Sequence, residues 1–300
     1  MTNNIQLAND LSCSRIVHGY WRLNDWKIST EQIKQLLEES LALGISTIDH
    51  ADIYGDYECE AVFGQALKGN SSLRDKLQLV SKCGIMLVSD KFPKRSVKHY
   101  NYSAEHIINS AEQSCENLQT DRLDLLLLHR PSPFYNPEEV AKAFDALKTA
   151  GVVRHFGVSN FTPRQFSSLQ SYCDMPLVTN QIELSVGCLE HFDNGNIDYL
   201  LEKRVHPMAW SPLGGGVFFK DEYMSTPMVQ AVHKVASELE IDDISQVMYA
   251  WLLNHPVGIL PIVGSSNIHR IKSAVAALNI TLTHEQWFKI YEASLGHKVP

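Results

Sequence analysis

Short apolar runs alternate along this chain with longer segments whose apolar side chains return at helical spacing. Ile16 to Gly19 precedes Ser29 to Leu43, in which Ile33, Leu36, Leu37 and Leu41 share one helix face. Ser29 and Thr30 are suited to cap that helix, and Gly44 to end it. Ile45 to Asp49 precedes Glu58 to Leu67, Leu77 to Ser81 precedes Ala104 to Leu118, and Leu123 to Leu128 precedes Pro137 to Lys148. Pro137 sits where a helix accepts proline, and Gly151 follows the helix end. His155 to Ser159 leads to Pro163 to Gln170, and Val178 to Gln181 leads to Ile197 to Lys203. Val205 to Trp210 leads to Met228 to Leu239, and Ile259 to Val263 leads to Ile268 to Leu278. Eight strand–helix pairs in order predict a closed (β/α)8 TIM barrel spanning residues 1–300 as a single domain. Two segments stand outside the repeat: an extra helix over Ile244 to Leu253, and a terminal helix over 284–293 with Trp287, Phe288 and Tyr291, packed outside the barrel or over its mouth.

Four polar residues close or follow these apolar runs. Asp49 ends the second strand and Tyr54 follows it in Asp49-His-Ala-Asp-Ile-Tyr54-Gly55. Lys82 ends the third strand and His129 the fourth. Parallel strands are apolar on both faces, so ionisable residues at their C-terminal ends mark where the barrel opens onto a pocket. Singly, each is an ordinary strand-end or loop residue. An acid, a phenol, an ammonium and an imidazole gathered from three successive strand ends make a proton-transfer site. The long segments 84–103, 182–196 and 211–226 fall on the same side.

Composition narrows the class further. Of 300 residues, 44% are hydrophobic and 20% charged, which describes an ordinary globular protein. The formal charge is −8, and one denser basic stretch (Lys91, Lys94, Arg95, Lys98) reads as a solvated loop, so nucleic acid is not expected as a partner. No apolar run approaches the roughly 18 residues of a membrane helix, so no membrane partner is expected. Met1-Thr-Asn-Asn-Ile-Gln6 has no signal-peptide pattern, and six cysteines show no Cys-x-x-Cys spacing; reduced thiols and a cytoplasmic location are expected.

The order Asp49-x4-Tyr54, Lys82, His129 resembles the catalytic tetrad of the aldo-keto reductases. Gly19-Tyr20-Trp21 resembles the family's first-strand turn, Gly157-Val-Ser159-Asn160-Phe161 its fifth-strand motif, and Gln181 its sixth-strand glutamine. Ala209-Trp210-Ser211-Pro-Leu213-Gly214 resembles the seventh-strand motif, and Pro261-Ile-Val-Gly264-Ser265-Ser266 with Arg270 the C-terminal phosphate motif. The likeness runs over nearly the whole chain. It implies reversible hydride transfer between NADPH and an aldehyde or ketone, with Tyr54 as proton donor, Lys82 its activator, Asp49 the anion that holds Lys82, and His129 orienting the carbonyl oxygen. No metal is implied.

The same resemblance implies a nicotinamide site built from Gly19, Tyr20, Trp21, Asp49, Ser159, Asn160 and Gln181, with Trp210 stacked on the ring. Ser211, Leu213 and Gly215 would wrap the pyrophosphate. Gly264, Ser265, Ser266 and Arg270 would hold the 2′-phosphate that separates NADP from NAD. Gly264 and Ala274 stand where many members carry a lysine and an asparagine. At about 4 Å and an effective dielectric near 20, an ammonium attracts a phenolate by roughly 4 kcal/mol, so Lys82 is expected to lower the pKa of Tyr54. Trp21, Trp26, Tyr57, Phe218, Phe219 and Tyr223 suggest an apolar substrate pocket. Two other readings compete: a nicotinamide-binding regulatory or sensor subunit of this fold with little turnover, and a metal-dependent hydrolase prompted by Asp49-His50-x-Asp52. The hydrolase would want a His-x-His at a strand end, which is missing. His50 and Asp52 are expected to support the site from behind.

Overall fold

The computed structural model describes residues 3–300; Met1 and Thr2 of the N-terminal segment lie outside them. Twelve strands occur among these residues. They are β1 (Asn4–Ala8), β2 (Leu11–Ser14), β3 (Val17–Gly19), β4 (Thr47–Asp49), β5 (Gln78–Cys83), β6 (Ile85–Met86), β7 (His99–Tyr100), β8 (Leu123–Leu128), β9 (Val153–Ser159), β10 (Leu177–Glu183), β11 (Met208–Trp210) and β12 (Leu260–Val263). Strands β3, β4, β5, β8, β9, β10, β11 and β12 form a closed barrel in that order, each parallel to its neighbours, with β12 paired back to β3. The expected (β/α)8 barrel is therefore the fold.

The run Leu123-Asp-Leu-Leu-Leu-Leu128 shows why these strands read as unbroken apolar stretches. Successive side chains point to opposite faces. Leu125 and Leu127 fill the barrel interior with Val17, Val80, Val178, Met208, Leu260 and Ile262, whereas Leu126 and Leu128 pack outward under the helices. The same parity places the top layer. Residues two beyond these interior positions face inward at the C-terminal end: Gly19, Lys82, His129 and Trp210. Asp49 pairs with Gly19 and Gln181 with Ser159, on the same level of the ladder.

The extra helix, Ile244–Leu253, is buried on every side but that of Gln246. Its cover is the terminal helix, His284–Leu295. Trp251 and Trp287 stack at 4.6 Å and 9° between planes, and each indole N–H donates to the other's backbone carbonyl, at 3.1 and 3.0 Å. Of the two expected positions for the terminal helix, the outside of the barrel is the one it takes.

Two features were not expected from the sequence. The antiparallel hairpin β1–β2 packs Leu11 and Cys13 onto the interior cluster and so plugs the barrel's N-terminal end. Asp10 at its turn contacts Arg154 and His155 at the base of β9, at 3.2 and 3.0 Å. At the other end β6 and β7 form a small ribbon. The basic stretch between them folds over the tyrosine loop: Lys91 bonds Glu58 at 2.6 Å, and Arg95 bonds the Tyr57 hydroxyl at 2.8 Å. All six cysteines are free thiols, five buried and Cys188 half-buried.

Candidate active site

The top layer of the barrel brings the four strand-end residues together. The Lys82 ammonium is fully buried and donates to Asp49 Oδ2 at 2.8 Å, the His50 carbonyl at 2.7 Å and the Tyr54 hydroxyl oxygen at 2.8 Å. A lysine has three donors, so all are used. Asp49 Oδ1 accepts from Gln181 Nε2 at 2.8 Å, which fixes the carboxylate from the far wall. The Tyr54 and His129 rings meet edge to face at 5.8 Å, and Trp21 lies 6.5 Å from Tyr54 on the open side, 58% exposed. Among the described residues His129 Nδ1 is buried with no hydrogen-bond partner.

Burial sets the protonation states. It pushes Lys82 down, and the Asp49 carboxylate works against that. It pushes His129 well below 6.5, with the Lys82 and Arg130 charges adding to the effect, so the imidazole is neutral at pH 7. Tyr54 rises well above 10, first through burial and then through the Asp49 charge. That reverses the expected lowering by Lys82. The reason is that Asp49 balances the ammonium at 2.8 Å, so a phenolate would meet a neutral pair in a dry site. The phenol is thus a standing acid. Because its oxygen already accepts from Lys82, its own proton is free to serve another acceptor.

Ser159, Asn160, Gln181 and Trp210 adjoin this centre, and the remaining expected residues follow the ends of β11 and β12. Asn160, at the left-handed φ of 62°, donates to Ser159 Oγ at 2.7 Å and accepts from Trp210 Nε1 at 2.9 Å. Ser159 Oγ donates to the Gln181 carbonyl at 2.8 Å. Ser211 and Leu213 are half-buried at the start of the loop after β11. Gly214, Gly215 and Gly216 follow at φ 58°, 66° and 94°, a backbone path that side chains rarely allow. A Cβ on Gly19 would strike Ile262 at 2.6 Å, whereas Gly264 opens outward. Ser265 is buried, and Ser266 and Arg270 are exposed at the first turn of helix Ile268–Ala276. Among the described residues Arg270 has no ion-pair partner. Within the glycine turn Gly214 and Gly216 N–H already donate to the Ser211 and Leu213 carbonyls, at 2.8 and 2.9 Å, so the donors that fit a dinucleotide's phosphates are the Gly215 N–H, the Arg270 guanidinium and the helix N-terminus.

Several residues do not join the site as expected. Tyr20 has the parity opposite to Gly19, so its ring turns outward into the core between His50 and Phe63, fully buried. Its side chain cannot reach a cofactor. Trp26 packs behind it, the Tyr57 hydroxyl is tied to Leu87 N–H, and Phe218 is buried against Tyr223. The six aromatics therefore do not line one apolar pocket. The lip beside Trp210 instead carries Arg130, its guanidinium 5.4 Å from the indole ring, and the half-buried Glu183. Neither was singled out from the sequence. Arg130 follows His129 directly, and Glu183 lies two residues beyond Gln181 on the same strand face, which was the available signal. His50 and Asp52 do lie behind Lys82; both His50 ring nitrogens and Asp52 Oδ1 are buried without a hydrogen-bond partner among the described residues.

A closed barrel with buried ionisable side chains gathered at its C-terminal mouth has the layout of a barrel enzyme. A sequence model described as the Aldo/keto reductase family matches residues 15–294, and the chain belongs to that family. Oxidoreductase YdhF of Escherichia coli strain K12 is 50% identical over 287 residues, covering 96% of this chain and 95% of its own. A 6-dehydroglucose reductase of Agrobacterium fabrum is 45% identical over 296 residues, covering 98% and 99%. An aldo/keto reductase of Klebsiella pneumoniae, solved with NADP and acetate, superposes with a TM-score of 0.78 at 24% identity over 100% of this chain and 97% of its own. The chain is an oxidoreductase.

Proposed function

We propose that this barrel acts as a single catalytic domain that reduces an aldehyde or ketone with NADPH, reversibly, Tyr54 giving its proton to the carbonyl oxygen. The observation that carries this reading is the saturated ammonium: Lys82 spends its three N–H groups on Asp49, His50 and Tyr54, leaving the phenolic proton unclaimed beside a neutral His129. The bound nicotinamide would supply the hydride. Tyr54 holds the proton until the oxygen gains charge, and the Lys82 N–H that already reaches its oxygen at 2.8 Å then hydrogen-bonds the phenolate that remains. His129 orients the carbonyl oxygen from the opposite side. Gln181, Ser159 and Asn160 would present the nicotinamide carboxamide with polar atoms, and Trp210 a ring face. Arg270, Ser266 and the N-terminus of helix Ile268–Ala276 suit a 2′-phosphate, which favours NADPH over NADH.

The polar lip of Arg130 and Glu183 suits a hydroxylated substrate better than an apolar one. The name of the Agrobacterium relative points the same way, to a sugar-derived aldehyde. The test joins tryptophan quenching by NADPH and NADH to turnover on sugar-derived and aromatic aldehydes. NADPH should bind about tenfold tighter, ~1.4 kcal/mol. Tyr54→Phe should cut turnover about a hundredfold or more while NADPH still binds. A Tyr54→Phe protein that reduces aldehydes at the parent rate would end the assignment.

A further inference from the structure

Outside the tetrad, one buried polar group joins two segments 247 residues apart in the sequence: the His18 imidazole, whose Nε2 lies 3.0 Å from the Ser265 carbonyl. His18 is fully buried on the outer face of β3, opposite in parity to Gly19, and pairs across the ladder with Val263 on β12. Its Nδ1 faces two hydroxyls, Tyr20 OH and Ser40 Oγ, both at 3.2 Å. Ser40 Oγ has one proton and sits 2.7 Å from the Leu36 carbonyl, to which it donates. Tyr20 is then the donor to Nδ1. With Nδ1 accepting, the ring proton resides on Nε2 and is donated to Ser265.

That bond has a geometric consequence. In a trans peptide the carbonyl of one residue and the N–H of the next point in opposite directions. Holding the Ser265 carbonyl inward, against the core, turns the Ser266 N–H outward, to the exposed side where Ser266 and Arg270 lie. Ser265 Oγ accepts from Asn267 N–H at 3.1 Å, and Asn267 Oδ1 caps the following helix through His269 N–H at 2.9 Å. The loop between β12 and helix Ile268–Ala276 is therefore anchored at its carbonyl by β3 and at its far end by its own cap.

We infer that His18 is a positioning residue for phosphate recognition: by gripping the Ser265 carbonyl it aims the Ser266 N–H at the 2′-phosphate of NADPH. The inference rests on the NADPH preference proposed above. Tyr20, whose ring is fully buried away from the barrel mouth, is the group that sets the His18 tautomer.

The test measures Kd for NADPH and for NADH, which lacks the 2′-phosphate, by tryptophan quenching in the parent, His18→Phe, His18→Gln and Tyr20→Phe. His18→Phe keeps a ring in the core and removes both bonds; its Kd for NADPH should rise about tenfold and its Kd for NADH by less than about twofold. His18→Gln puts an amide N–H near the former Nε2 position and should recover most of the loss. Tyr20→Phe, which keeps the ring and deletes only the donor to Nδ1, should show a smaller loss confined to NADPH, and it decides the matter if His18→Phe does not fold. Equal weakening of both cofactors, or parent-like NADPH affinity in His18→Phe and Tyr20→Phe, overturns the role of His18 while leaving the proposed function intact. A parent that binds NADPH and NADH equally overturns the preference itself, and this role with it.

Discussion

At the scale of single residues, the site turns on how one buried pair is balanced. Lys82 and Asp49 are both walled off from water and 2.8 Å apart. Removing one partner strands the other's charge, so Lys82→Met should lose about 3 to 5 kcal/mol of unfolding free energy as well as activity. The double variant Asp49→Asn/Lys82→Met should recover much of that stability and none of the turnover. Denaturant midpoints of the three proteins check this; a Lys82→Met protein as stable as the parent would contradict the buried pair. The pH profile belongs at this scale too. Tyr54 is pushed up from 10 and His129 down from 6.5, so neither changes protonation between pH 7 and 9. Reductive kcat/KM should be level across that range. An inflection near neutrality that vanishes in His129→Gln would mean that the imidazole works in its charged form. Asp49, Lys82 and His129 stood out because ionisable side chains at strand ends break long apolar runs. Tyr20 misled, because a motif gives a position along the chain and not the face its side chain takes.

Between residues and the whole molecule stand the elements, and their legibility follows from burial. Leu123–Leu128 was found at its true bounds because both faces of a barrel strand are buried, leaving no polar residue to blur the run beyond Asp124. That aspartate has its own partner, Arg74 at 3.0 Å. β1, Asn4–Ala8, escaped notice because none of its residues is fully buried and its apolar stripe is only two residues long, Ile5 and Leu7. β11 is shorter than the expected Val205 to Trp210, beginning only at Met208, after Pro207, which has no N–H to give a ladder. The loop after β11 was legible as a motif through Ser211, Leu213 and its glycines, but its path was not, since positive φ is a property of backbone and leaves no apolar pattern. Helix Ile244–Leu253, apolar nearly all round, could only be a helix covered by another. Its cover depends on the paired indoles. Trp251→Ala should therefore cost about 3 to 5 kcal/mol, read as a lower denaturant midpoint at unchanged slope. A loss under about 1 kcal/mol would mean that the terminal helix is not held there.

For the molecule as a whole, buried imidazoles tie stability to pH. Burial lowers His18 from 6.5 to about 4 and holds His50 well below 6.5. Above 6.5 both are neutral whether folded or not, and they cost nothing. As pH falls below 6.5 the unfolded chain takes up protons that the folded chain refuses, so stability declines until the folded values are reached. At pH 5 His18 alone should remove roughly 2 kcal/mol. The Tm should drop between pH 7 and 5, and His18→Phe, where it folds, should show a shallower drop. An identical slope in both proteins would mean that His18 is charged within the fold.

The hairpin β1–β2 seals one end of the barrel and leucine, valine and methionine fill its middle, so nothing can cross the molecule along its axis. Both reactants of a two-substrate reaction must share a single threshold. Whichever lies deeper has to be admitted before its partner and discharged after it, and catalysis becomes a queue at one door.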